Sequence, residues 1–60
     1  MFKKGQKIRL TVMESGSSNE YFNCTVIDYA DGLLKIRDAA GDEAIYNVHS
    51  TSFIKATPEK

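Results

Sequence analysis

Apolar residues recur at every second position along short stretches of this 60-residue chain, and polar residues break each stretch before it is long enough for a helix. Ile8, Leu10 and Val12 alternate with Lys7, Arg9 and Thr11. Period two puts one apolar and one polar face on a strand. A second segment, Glu20 to Tyr29, is rich in aromatic and β-branched residues, which favour a pleated surface. In strict alternation Phe22, Cys24 and Val26 point one way, and Tyr21, Ile27 and Tyr29 the other. Apolar groups on both faces imply either a long strand that bends sharply or a face that meets a partner.

Glycine and polar clusters separate the segments. Glu14-Ser15-Gly16-Ser17-Ser18-Asn19 is polar throughout and predicts a flexible loop. Ala30-Asp31-Gly32 predicts a tight turn. Leu33 to Arg37 predicts a third strand with Leu34 and Ile36 inward, and residues 38–42 a second turn. Glu43 to His49 predicts a fourth strand, with Ala44, Tyr46 and Val48 facing oppositely to Ile45, Asn47 and His49. Ser50-Thr51-Ser52 predicts a single 3₁₀ turn. Phe53 to Thr57 predicts a short fifth strand, which Pro58 ends because it has no amide hydrogen to donate. No window has helical periodicity. The expected fold is all-β: one domain over residues 1–60, a five-stranded SH3-like small barrel with a single 3₁₀ turn before the last strand.

A chain this short buries only about 60% of its unfolded surface, and small scaffolds need further support. Cys24 is the only cysteine, so no disulfide forms within the chain. One Cys and one His do not make a structural zinc site. Self-association is the support that remains. No apolar run approaches the about 20 residues of a spanning helix, and no apolar stretch follows Met1-Phe2-Lys3-Lys4 as in a signal peptide. A cytoplasmic location is therefore expected, and the unpaired thiol fits a reducing compartment.

The eight basic and eight acidic side chains cancel, but unevenly. Lys3, Lys4, Lys7 and Arg9 crowd the first ten residues, whereas Glu14, Glu20, Asp28, Asp31, Asp38, Asp42 and Glu43 outnumber Lys35 and Arg37 in the middle. A nucleic-acid binder normally carries a basic excess, so any such binding would need a local patch. Catalysis is not expected, because no nucleophile, base and orienting group are visible together. No cofactor or metal is expected either. Cys24 reads as a small buried hydrophobe. Tyr21, Tyr29 and Tyr46 can stack bases or line the core. Asn47, His49 and Ser50 form a polar cluster that can bind a ligand or satisfy the backbone of the turn.

The stretch from Phe22 through Asp28, Asp31-Gly32 and Leu33-Leu34-Lys35-Ile36, followed by Ile45 to Ile54, resembles the Sm-like family, which includes a bacterial RNA chaperone. The resemblance covers roughly residues 5 to 57 and is one of pattern. It implies a non-enzymatic protein that forms a homo-oligomeric ring. The fourth strand of one copy would pair with the fifth of the next, through Ile45, Tyr46, Val48, Phe53 and Ile54. Single-stranded RNA or nucleotides would bind at Tyr29, Asp31, Asn47 and His49. A weaker resemblance joins Gly5-Gln6-Lys7-Ile8-Arg9-Leu10 and Val26-Ile27-Asp28 to the N-terminal barrel of flagellar-brake proteins, an interaction module. The alternative expectation is thus an SH3-like adaptor that binds protein and no nucleic acid.

Overall fold

A computed structural model describes residues 2–59. Five strands are present: β1 (Lys7–Glu14), β2 (Ser17–Ala30), β3 (Leu33–Arg37), β4 (Glu43–Asn47) and β5 (Phe53–Pro58). They form one antiparallel sheet in the order β4-β3-β2-β1-β5. The sheet does not close, because β4 and β5 are its two edges. The described residues contain no helix long and apolar enough to cross a membrane.

Strand β2 organises the fold. Fully extended, its 14 residues would span roughly 46 Å, yet the longest dimension of the molecule is 29 Å. The strand must therefore bend, and two bulges mark where. On the β1 side, Ile8 pairs with Cys24 but Leu10 pairs with Tyr21, so Phe22 and Asn23 together oppose Arg9. Asn23 takes φ 57°, a left-handed conformation that asparagine tolerates better than most residues. On the β3 side, Val26 pairs with Ile36 but Asp28 pairs with Lys35, which leaves Ile27 as the extra residue. Each extra residue reverses the alternation of side chains.

The reversals correct the strict period-two reading. Tyr21, Cys24, Val26 and Tyr29 all turn toward the core, while Phe22 is 49% exposed on the other side. The two apolar faces of the second segment are thus one face of a bent strand, and β2 by itself requires no partner. The core is Ile8, Leu10 and Val12 from β1, Cys24 and Val26 from β2, and Leu34 and Ile36 from β3. Tyr46, Val48, Phe53 and Ala56 pack half-buried around it. Burial raises the Cys24 thiol pKa, which keeps the sulfur protonated and unreactive.

The connections differ from expectation at both ends of the chain. Residues 14–19 are not a flexible loop. Ser15 (φ 52°) and Gly16 (φ 80°) form a two-residue hairpin turn, and Ser17, Ser18 and Asn19 already pair with Glu14, Met13 and Val12. Positive φ at both central positions gives a turn whose twist matches that of the strands. The side chains explain why so polar a strand end is ordered. Glu14 Oε1 accepts hydrogen bonds from the Tyr21 hydroxyl (2.5 Å) and from Asn19 Nδ2 (3.0 Å). β4 stops at Asn47, two residues before the expected His49, and β5 runs on to include Pro58. Pro58 is tolerated because it lies on an edge strand. The expected 3₁₀ turn is instead two successive reverse turns, closed by Ser50 N to Asn47 O (3.0 Å) and Phe53 N to Ser50 O (3.1 Å).

The Glu14 contact has a measurable consequence. The hydrogen bond to the carboxylate, more than burial, pushes the Tyr21 hydroxyl up to about 12. Tyr46 is also raised, chiefly by burial. Because the folded pKa of Tyr21 lies above its unfolded value, its contribution to stability is complete below about pH 10. That contribution disappears as pH rises through about 12. Ultraviolet titration of the tyrosines should show one late ionisation that Tyr21→Phe removes and Glu14→Gln moves toward the ordinary value. A late ionisation unaffected by both substitutions would assign the shift elsewhere.

Candidate functional site

The turn between β2 and β3 meets the connection between β4 and β5 at one end of the sheet. Asp31 (φ 54°) and Gly32 (φ 77°) form the turn. Gly32 O accepts a hydrogen bond from Val48 N (2.9 Å), which ties the two connections together. The His49 imidazole lies over Gly32: a Cβ at that glycine would stand 2.7 Å from His49 Cδ2. Asp31, Asn47 and His49 are thus brought to one place. Asn47 Oδ1 accepts from His49 N (2.9 Å), and Ser50 Oγ accepts from Ser52 N (3.1 Å). Those acceptors are occupied in shaping the turns, the second of the two roles open to this polar cluster.

Tyr29 is placed differently. It pairs with Leu34 on the inward face, and its ring meets Phe2 edge-on at 5.1 Å and 65°. A ring packed there offers a base only part of its surface. The five residues expected at an oligomer interface also divide. Tyr46, Val48 and Phe53 pack against the core, whereas Ile45 is 63% and Ile54 47% exposed. Ile45 and Leu33 share the outer face of β3 and β4 and border a shallow groove with Asp28, Asp31 and Lys35.

Ionic contacts on that outer face are ordered. Arg37 Nη2 donates to Glu43 Oε2 at 2.8 Å, and Lys35 Nζ lies 3.5 Å from Glu43 Oε1. The Arg37 hydrogen bond, then the Lys35 charge, hold the Glu43 carboxyl below its ordinary range. Asp38 organises the β3–β4 turn, its Oδ1 accepting from Ala40 N and Asp42 N, both at 3.0 Å. These carboxylates shape local structure. Among the described residues, no group of three or more His, Cys, Asp or Glu side chains is placed to share a metal ion.

A second cluster had no signal in the sequence. The Arg9 guanidinium stands 4.9 Å from the centre of the Phe22 ring. Glu59, just past β5, reaches back over β1: its Oε1 accepts from Asn23 N at 2.7 Å, and its Oε2 lies 3.9 Å from Arg9 Nε. Its own N–H donates to Lys7 O at 2.8 Å. Glu59 therefore fastens the end of β5 to the bulge of β2, and no spacing rule links residues 36 positions apart. Glu59→Ala should cost about 1–2 kcal/mol in denaturant unfolding, because it frees the bulge N–H. Glu59→Gln keeps the acceptor and should cost less than half of that. Equal losses would show that charge, not the hydrogen bond, carries the contact.

Comparison with known proteins gives no match among family models, curated proteins or solved structures.

Proposed function

We propose that this chain is a non-enzymatic small-barrel module that assembles with copies of itself, the β4 edge of one copy pairing with the β5 edge of the next to form a ring. The observation that carries the proposal is the strand order. Both outermost strands, β4 and β5, lack a neighbour on one side. Unpaired strand edges are templates for further pairing, and natural proteins normally cover or blunt them. Here the edges carry exposed Ile45 and Ile54 beside the charged or blunting residues Glu43, Lys55 and Pro58. Joining unlike edges is a head-to-tail contact, which closes into a ring when the rotation allows. It would also complete the barrel that a single open sheet leaves unfinished, and support a core of seven buried side chains.

Size-exclusion chromatography with light scattering tests this. The expected mass is a multiple of 6.7 kDa. Ile45→Lys, at an exposed position, should shift the protein to monomer without unfolding it. A wild-type mass of one chain at all concentrations, or an Ile45→Lys variant with unchanged mass, would refute the ring.

Single-stranded RNA, the partner implied by the Sm-like resemblance, would meet Asn47 and His49 beside the Gly32 turn. Neighbouring Asp28 and Asp31 are acidic, so the reading requires bases rather than phosphates to make the main contacts. RNA affinity that falls only weakly with salt, and that His49→Ala reduces, is the expected outcome.

A further inference from the structure

A third strand edge is open within the sheet. β2 pairs with β1 over residues 17–25 but with β3 only over residues 25–30. Residues 17–24 therefore have a neighbouring strand on one side alone. The phase of their hydrogen bonds is set by the hairpin. A two-residue turn makes Glu14 and Ser17 a hydrogen-bonded pair, so Val12–Asn19 and Leu10–Tyr21 are bonded pairs too. Met13 agrees with this phase, since its N–H turns away from β2 to Ser52 O at 2.7 Å. Ser18 and Glu20, the residues between the bonded pairs, must then direct their N–H and C=O groups away from β1, to the open side.

That side is not blank surface. A groove of about 430 Å³ opens there, with residues 20–23 of β2 as one wall and residues 38–40 of the β3–β4 turn as the other. Tyr21, Phe22, Ala39 and Ala40 are among its lining residues, and its charged residues, Glu20 and Asp38, are both acidic. No basic residue lines it. The Phe22 ring already carries the Arg9 guanidinium, so its electron-rich face is in use for a cation.

We propose that this edge of β2 binds an extended cationic peptide segment of a partner protein by strand addition. The backbone of Ser18 and Glu20 would supply the ladder hydrogen bonds. Alternate side chains of the peptide would enter the groove, where Glu20 and Asp38 select Arg or Lys. This site is separate from the β4 and β5 edges and does not depend on ring assembly.

The test is amide NMR on the full chain titrated with the peptide Arg-Val-Arg-Val-Arg-Val-Arg, repeated on the Ile45→Lys variant. Shifts should concentrate at Ser18, Glu20 and residues 38–40, and hydrogen exchange at Ser18 and Glu20 should slow about tenfold. Glu20→Lys should weaken binding about five- to tenfold. The peptide with glutamate in place of arginine, and one N-methylated at alternate residues, should not bind. No shift at about 1 mM peptide would overturn the proposal. So would shifts confined to β4 or β5, equal binding of the N-methylated peptide, or the same shifts on concentrating the protein alone. The last result would make the groove a contact between copies.

Discussion

Gly32→Ala is expected to destabilise the domain by about 1–3 kcal/mol. The φ of 77° puts this residue in the left-handed region, where a Cβ crowds the following carbonyl. The added methyl would also stand 2.7 Å from His49 Cδ2 and 2.9 Å from His49 Nε2. The imidazole is exposed and can swing aside, but doing so uncovers the turn it lies on. Small domains of this size hold only about 3–5 kcal/mol in total, and 1 kcal/mol shifts the melting temperature by about 4–8 °C. The melting temperature should therefore fall by roughly 5–20 °C. His49→Ala alone should cost little, and in that background Gly32→Ala should cost less, because the clash is gone and the backbone strain remains. An unchanged melting temperature would mean that the turn does not hold positive φ.

The same turn shows what could be read from the residues. Asp31-Gly32 between two alternating runs is a strong hairpin signal, and the turn forms there. β3 and the inward residues of β4 follow period two, and β1 does so except at Thr11, which belongs to the polar face by alternation yet is buried between Leu10 and Val12. Ile8, Leu10, Val12, Leu34 and Ile36 were therefore legible as core. β2 was not, because a bulge leaves no consistent mark in composition. Asn23 and Ile27 look like ordinary strand residues, yet each reverses the phase of the side chains after it. Residues 14–19 misled for another reason. Their polarity signals a loop, but Glu14, Asn19 and Tyr21 spend it on one another. Of the candidate ligand residues, Asp31, Asn47 and His49 converge because two turns meet at Gly32, whereas Tyr29 turns inward because it lies beyond the second bulge.

These differences bear on function. A two-faced second strand would by itself argue for a partner. The bulges remove that argument, since Tyr21 and Tyr29 pack against the core. What remains are strand edges: β4 and β5 at the ends of the sheet and the first half of β2 within it. All three lie where the ladder stops, and backbone hydrogen-bonding groups there are available to another chain. The proposed binding modes of this domain are accordingly matters of backbone pairing, with side chains deciding which strand is accepted.

Deleting Asn23 should weaken the fold without exchanging its core. In the shortened strand Tyr21, Phe22 and Cys24 are consecutive, so strict alternation keeps Tyr21, Cys24 and Val26 inward, with Leu10 opposite Tyr21 and Ile8 opposite Cys24 as before. What the deletion removes is the bulge, with the bend it gives β2, and the 2.7 Å bond from Asn23 N to Glu59. The expected loss is about 1–3 kcal/mol, a large share of the about 3–5 kcal/mol available to a domain this small. Asn23→Gly separates the residue from the bulge, since it keeps the residue count and accepts φ 57° without strain. It should melt within a few degrees of wild type by circular dichroism. Deleting Thr25 is the opposite case. It makes Cys24 and Val26 consecutive, so one of two side chains that are 0% and 1% exposed must turn outward. That costs about 1.5–3 kcal/mol beyond the lost ladder bonds, so the Thr25 deletion should show no cooperative transition while the Asn23 deletion retains one. An Asn23 deletion that unfolds like the Thr25 deletion would mean that the bend itself, and not the phase of the side chains, decides which residues form the core.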